Sequence, residues 1–223
     1  MSTSRTEAFS DGVFAIAATL LVLELKIPQV EAGKLLGTLL EAWPSYATYA
    51  VSFLTIGIIW VNHHTILDRV RRVDRLLLFI NLIFLMLVAA IPFPTALLAD
   101  YLKEGYDDRL AAAIYGATMW VMGLAICAIW AYVVHRGLLH EGVDQDLARR
   151  SLFVFAVGIP AYLLGIGASA LSAKLGLVVY ALVALFYLVD VLPPLKQGDE
   201  EEERAEDPKS PTSLLPPPKK PPR

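Results

Sequence analysis

The chain has 223 residues, of which 56% are hydrophobic and only 18% are charged, and its mean hydropathy is +0.55. A soluble domain has about a quarter of its residues charged and is about half apolar or less, so this composition excludes an ordinary soluble domain. The formal net charge of -3 comes largely from an acidic patch near the C-terminus and argues neither for nor against nucleic acid, and no nucleic-acid partner is expected.

Six apolar segments follow one another along the chain, and each is long enough to cross a bilayer as a helix. Because backbone groups in lipid must satisfy one another, such runs predict helices. The fold class is therefore an all-α polytopic membrane protein with six transmembrane helices. The first segment is interpreted as an uncleaved span, since no small-residue cleavage site follows it. The segments cover about Ala8–Ile27, Tyr46–Ile66, Leu76–Leu98, Leu110–Val134, Leu152–Ala173 and Leu175–Val191.

Basic residues alternate in the connections between these segments. The second connection holds an arginine cluster from Arg69 to Arg75, whereas the first and third are poor in arginine. Positive charge marks the cytoplasmic side, which predicts both termini in the cytoplasm and a multi-pass protein of the cell (plasma) membrane. The transmembrane domain is assigned to residues 1–195. Residues 196–223, acidic and then rich in proline and lysine, are predicted to form a disordered cytoplasmic tail.

Ser10 and Asp11 stand at the start of the first span. They are interpreted either as a helix cap or as part of a buried polar cluster. The candidate partners of Asp11 on the second and third spans are Trp60, Asn62, His63, His64 and Asn81, and the expected cluster is Asp11 with His63 or His64 and Asn81. The alternating direction of the spans places all these positions in the inner leaflet. A metal site or a proton relay is a further alternative, but adjacent histidines point about 100° apart on a helix. No metal site is predicted.

A second feature of the first span is an apolar face formed by Ile16, Thr19, Leu20 and Leu23, which follow the i, i+3, i+4, i+7 spacing. Such a face is typical of helix packing, and the Thr19 hydroxyl is expected to bond back to the carbonyl of Ala15. The spacing alone does not indicate a pore.

The stretch Arg5-x-x-x-Phe9-Ser10-Asp11, which opens the first span, resembles the signature of the transmembrane protein 175 family of potassium channels. The six-span layout and the histidine-bearing second span are also similar, over about Ser4–Leu192. The resemblance implies a non-canonical potassium channel of the single-repeat, prokaryotic type, in which four copies form a homotetramer and the first helix lines the pore. An anchoring network is expected to hold that helix, formed by Arg5, Phe9, Ser10, Asp11, His63, His64 and Asn81.

The same resemblance implies a constriction and gate at Ile16, with further narrow layers at Leu20 and Leu23. Thr19 would be the polar residue related to cation preference. Permeant potassium ions are expected in this pore, and no cofactor is. Glu24 is interpreted either as concentrating cations at the outer mouth or as lying at the lipid interface.

Two other classes of function are considered. A proton-coupled secondary transporter would use Asp11 and the histidines, but inverted repeats with paired broken helices are not evident in the sequence. A membrane enzyme would need a nucleophile–base pair or a metal-ligand set, and no such set has convincing spacing, so the protein is not expected to be an enzyme.

Overall fold

The computed structural model describes residues 3–104, 107–140, 143 and 145–189. The described chain is helical apart from its connections and an isolated bridge between Val70 and Leu139. The predicted tail, residues 196–223, lies outside the described residues. The helices are α1 (Thr3–Leu20), α2 (Leu35–Glu41), α3 (Trp43–Asp68), α4 (Arg75–Ala90), α5 (Pro92–Glu104), α6 (Asp108–His135), α7 (Gln145–Leu171) and α8 (Ala173–Val189), and a 3₁₀ turn (Leu21–Glu24) follows α1.

The predicted fold class is confirmed. Within the described residues, five helical stretches are long and apolar enough to cross a membrane, and one shorter apolar helix follows them. The short helix is the last predicted segment, which was also the shortest in the sequence. α2, in the first connection, is an element that the apolar pattern did not predict, since it has only seven residues. The long stretches are Thr3–Glu24, Trp43–Asp68, Arg75–Leu102, Asp108–His135 and Ser151–Leu171, and the short one is Ala173–Leu188.

The third span is broken into α4 and α5 at Ile91. Pro92 has no backbone N–H and its ring clashes with the preceding turn, so it starts a new helix at the position that proline tolerates best. The chain tightens at the break, where the Ile91 amide donates to the Val88 carbonyl at 3.1 Å. By contrast, Pro160 lies within the continuous helix α7.

The connection between α3 and α4 is fixed by its neighbours. The Arg71 amide donates to the Leu138 carbonyl at 2.9 Å, and the connection thereby pairs with the chain after α6. Asp74 then caps α4, accepting from the Leu77 amide at 2.8 Å and from the Tyr132 hydroxyl at 2.8 Å. These donors, chiefly the Leu77 amide, hold the pKa of the Asp74 carboxyl below its ordinary value. These hydrogen bonds therefore fix the α3–α4 connection against the C-terminal end of α6.

Close packing of α6, α7 and α8 centres on Tyr180. Its side chain is buried, and its hydroxyl donates to the Ala112 carbonyl at 3.0 Å. Gly116 and Gly165 make room for the ring, since a Cβ at either position would overlap it. Small residues that let helices approach are typical of membrane-spanning bundles. α6, α7 and α8 pack together through these contacts, and α1 packs separately against α3 and α4.

Candidate pore-lining helix and its polar anchor

Helix α1 has one buried face and one exposed face. The buried side chains recur every three or four residues, as one side of a helix requires, and they are Thr6, Ser10, Phe14, Ala17 and, in the following turn, Leu21. On the opposite side Ile16 is 61% exposed, Leu20 41% and Leu23 70%. The packing that is typical of such a face is thus not made within a single chain: the buried stripe packs against the other helices, and the exposed stripe is left for lipid or for other copies.

The buried face carries a chain of hydrogen bonds across three helices. The Asn81 amide nitrogen on α4 donates to the Ser10 hydroxyl at 3.1 Å, and its oxygen lies 2.7 Å from Nε2 of His63 on α3. All three side chains are at most 3% exposed. Phe84 stacks on the His63 ring at 5.1 Å between centroids. Buried polar groups require partners, and this set satisfies its members while it joins α1 to α3 and α4.

Asp11 pairs with Trp60, one of its candidate partners, and not with the expected histidine. Its Oδ1 accepts from the Trp60 indole N–H at 2.8 Å, and within the described residues neither histidine hydrogen-bonds to it. The reason is rotation: Asp11 is about 100° around the helix from Ser10, so it faces α3 beside the Ser10–Asn81–His63 chain. The capping interpretation is also wrong, because α1 already begins at Thr3.

His64 points away from His63 and meets acidic residues instead. Its Nδ1 lies 2.8 Å from Oε1 of Glu7 on α1, and its Nε2 lies 3.4 Å from Oδ2 of Asp68 on α3. The Trp60 ring stacks on the imidazole at 5.8 Å. Sequence reasoning missed Glu7 and Asp68, although a signal was present: each is four residues from a recognised site residue and therefore shares its helix face.

The remaining predicted residues lie outside this network in a single chain. Arg5 and Phe9 are exposed, and among the described residues no hydrogen bond or ion pair joins either to the polar cluster. Thr19 is exposed, and its hydroxyl bonds back to the carbonyls of Ala15 and Ile16, both at 2.9 Å, as expected for Ala15. Glu24 is half-buried at the end of the 3₁₀ turn.

The fold and the apolar spans define a multi-pass helical membrane protein. Residues 5–92 match the family described as "Endosomal/lysosomal potassium channel TMEM175". The chain is 49% identical over 191 residues, which is 85% of this chain and 93% of the relative, to "Potassium channel B446_29190" of Streptomyces collinus. It belongs to the TMEM175 family, which is a family of ion channels and not a class of enzymes.

Solved structures and animal relatives extend this result. The crystal structure of a "lysosomal potassium-selective channel TMEM175 homolog" from Chamaesiphon minutus matches with a TM-score of 0.77 and 38% identity, over 84% of this chain and 96% of that chain. The "Endosomal/lysosomal proton channel TMEM175" of Gallus gallus is 31% identical, over 63% of this chain and 29% of that protein. The names of these relatives thus refer to potassium in the bacterial case and to protons in the animal case.

Proposed function

We propose that the protein is a subunit of a potassium-preferring cation channel, in which four copies place the exposed face of α1 around a common axis. The observation that carries this proposal is the asymmetry of α1. One face is tied to α3 and α4 by buried polar contacts, while the side chains of Ile16, Leu20 and Leu23 are exposed in a single chain. The bacterial relatives named as potassium channels support the same interpretation.

The proposed pore selects ions by the width of its constriction and by the free-energy cost of removing their hydration water. The sequence has no Thr-Val-Gly-Tyr-Gly stretch, which in other potassium channels supplies carbonyl oxygens in place of hydration water. A ring of Ile16 side chains offers no ligand, so it blocks by dewetting when narrow and passes a partly hydrated ion when wider. Potassium loses water more readily than sodium, which gives a modest preference. The Thr19 hydroxyl layer is the polar surface next to the constriction.

The orientation of the protein in the membrane is inferred from the distribution of its basic residues. The arginine cluster from Arg69 to Arg75 lies at the end of the bundle that holds the start of α1, and this end is assigned to the cytoplasm. Both termini are then cytoplasmic, and the plasma membrane is the proposed location. Glu24 lies at the opposite end, where a carboxylate near the outer mouth would attract cations.

Ion flux into liposomes that contain only this protein tests the function. With an electrical driving force and no pH gradient, we expect potassium flux greater than sodium flux, and potassium flux greater than proton flux. A proton-coupled carrier would instead require the proton gradient. Absence of potassium flux from correctly folded, reconstituted protein would refute the channel function. A proton flux larger than the potassium flux at equal driving force would refute the proposal that potassium is the preferred ion.

A further inference from the structure

Glu7, His64 and Asp68 bring three metal-ligating side chains together at one end of α1 and α3. One ligand atom from each residue can be chosen so that all three lie within 4.8 Å of one another. His64 and Asp68 are spaced i, i+4 on α3 and share a helix face, while Glu7 reaches them from α1. The cluster therefore joins two helices, and Glu7 lies far from the other two residues in the sequence.

One nitrogen of the His64 imidazole, Nδ1, is incompletely satisfied by its present neighbours. Its Nδ1 is buried and, although it lies 2.8 Å from Glu7, it makes no aligned hydrogen bond among the described residues. A buried polar atom without a partner is uncommon and calls for an explanation, one of which is an ion at the site. The stacked Trp60 ring holds the imidazole in this orientation.

The charge of the cluster also favours a cation. Two carboxylates flank one imidazole, with oxygens 2.8 Å from its Nδ1 and 3.4 Å from its Nε2. The neighbouring Arg69 interacts electrostatically with Asp68. Even a protonated His64 would match only one of the two carboxylates. With His64 neutral, as a metal ligand must be, the two carboxylates carry two negative charges, which a divalent cation would balance.

We propose that Glu7, His64 and Asp68 form a binding site for a divalent transition-metal ion, of which Zn²⁺ is the best match. One imidazole nitrogen and two carboxylate oxygens are ligands that Zn²⁺ accepts, with water in the fourth position. Zn²⁺ ligand bonds of about 2.0–2.2 Å place ligand atoms closer together than here, so the side chains must move inward. Their exposed fractions of 24%, 42% and 59% leave them room to do so. The bound ion would cross-link the start of α1 to the end of α3.

Isothermal titration of the purified full-length protein with ZnCl₂ in detergent tests this site. We expect one Zn²⁺ per chain in the wild type and a loss of affinity of at least about tenfold in His64→Asn. His135→Asn is the matched control, because His135 is exposed, lies at the same end of the bundle and is outside the cluster; its affinity should equal that of the wild type.

Absence of a one-per-chain site in the wild type, or wild-type affinity in His64→Asn, would overturn the proposal. If His64→Asn does not fold, Asp68→Asn replaces it, and the same tenfold loss of Zn²⁺ affinity is expected. The Asp68 side chain is 59% exposed, so its replacement leaves the core intact. Titration measures binding and not conduction, so failure of the metal site and failure of the proposed channel function are distinguishable.

Discussion

Asn81→Leu should destabilise the protein by breaking the link between α1, α3 and α4. The substitution keeps the approximate size of the side chain, but it removes the donor to Ser10 and the acceptor for His63. An unsatisfied buried polar group costs about 1–3 kcal/mol, whereas hydrogen bonds between membrane helices average about 0.6 kcal/mol and reach about 1.7. Because the substitution breaks both hydrogen bonds of Asn81, the membrane figures give about 1–3 kcal/mol. For a chain of this size that corresponds to a decrease in Tm of roughly 2–12 °C.

The assay is thermal unfolding in detergent, followed by tryptophan fluorescence at one fixed scan rate for all variants. Asn62→Leu is the matched control: Asn62 lies on α3, is half-buried and has no hydrogen-bond partner for its side chain among the described residues. Its change should stay within about 0.5 kcal/mol. If Asn81→Leu unfolds at the same temperature as Asn62→Leu, the buried chain of hydrogen bonds does not anchor α1.

Two further predictions concern the pore face and the cap of α4. Ile16→Asn should raise potassium flux in liposomes several-fold, because an amide wets the proposed constriction; Ile83→Asn, matched in residue type and with Ile83 57% exposed on α4, should not. Equal flux in both variants would contradict the pore position. Asp74→Ala should cost about 1 kcal/mol near neutral pH through loss of the cap. Since the pKa of Asp74 is lowered in the folded state, its contribution is complete above the unfolded value of about 3.9 and is lost as pH falls through the folded value. The difference between wild type and Asp74→Ala should therefore shrink at pH 3, and a difference that grows there would refute this sign.

The membrane fold could be predicted from the sequence because the length of each apolar segment can be counted directly along the chain. Runs of about 20 apolar residues specify spans regardless of their neighbours. The broken third span was also foreseeable at Pro92. The last span was harder to define, because its apolar helix in the described residues, Ala173–Leu188, is shorter than the other five stretches.

The core of the polar cluster could be predicted, but not its full membership or its pairing. The inner-leaflet position of Ser10, Asn81 and His63 follows from the direction of the spans, and the structure brings them together. Which side chain meets which depends on the rotation of each helix about its axis, and a shift of one residue turns a side chain by about 100°. For that reason the sequence could not determine the partner of Asp11. A histidine was expected, and the structure has Trp60.

The two halves of α1 are held by different kinds of contact: the inner half by hydrogen bonds, and the outer half by apolar packing. Polar ties at Ser10 and Asp11 hold the inner half to α3 and α4. Beyond them the buried side chains are those of Phe14, Ala17 and Leu21, which are apolar, and hydrophobic burial is non-directional. The helix also changes to a 3₁₀ turn at Leu21. A displacement of the outer half thus breaks no directional bond of the inner anchor. In the proposed channel, the ring at Ile16 and the layers beyond it can widen while the cytoplasmic half of α1 stays in place.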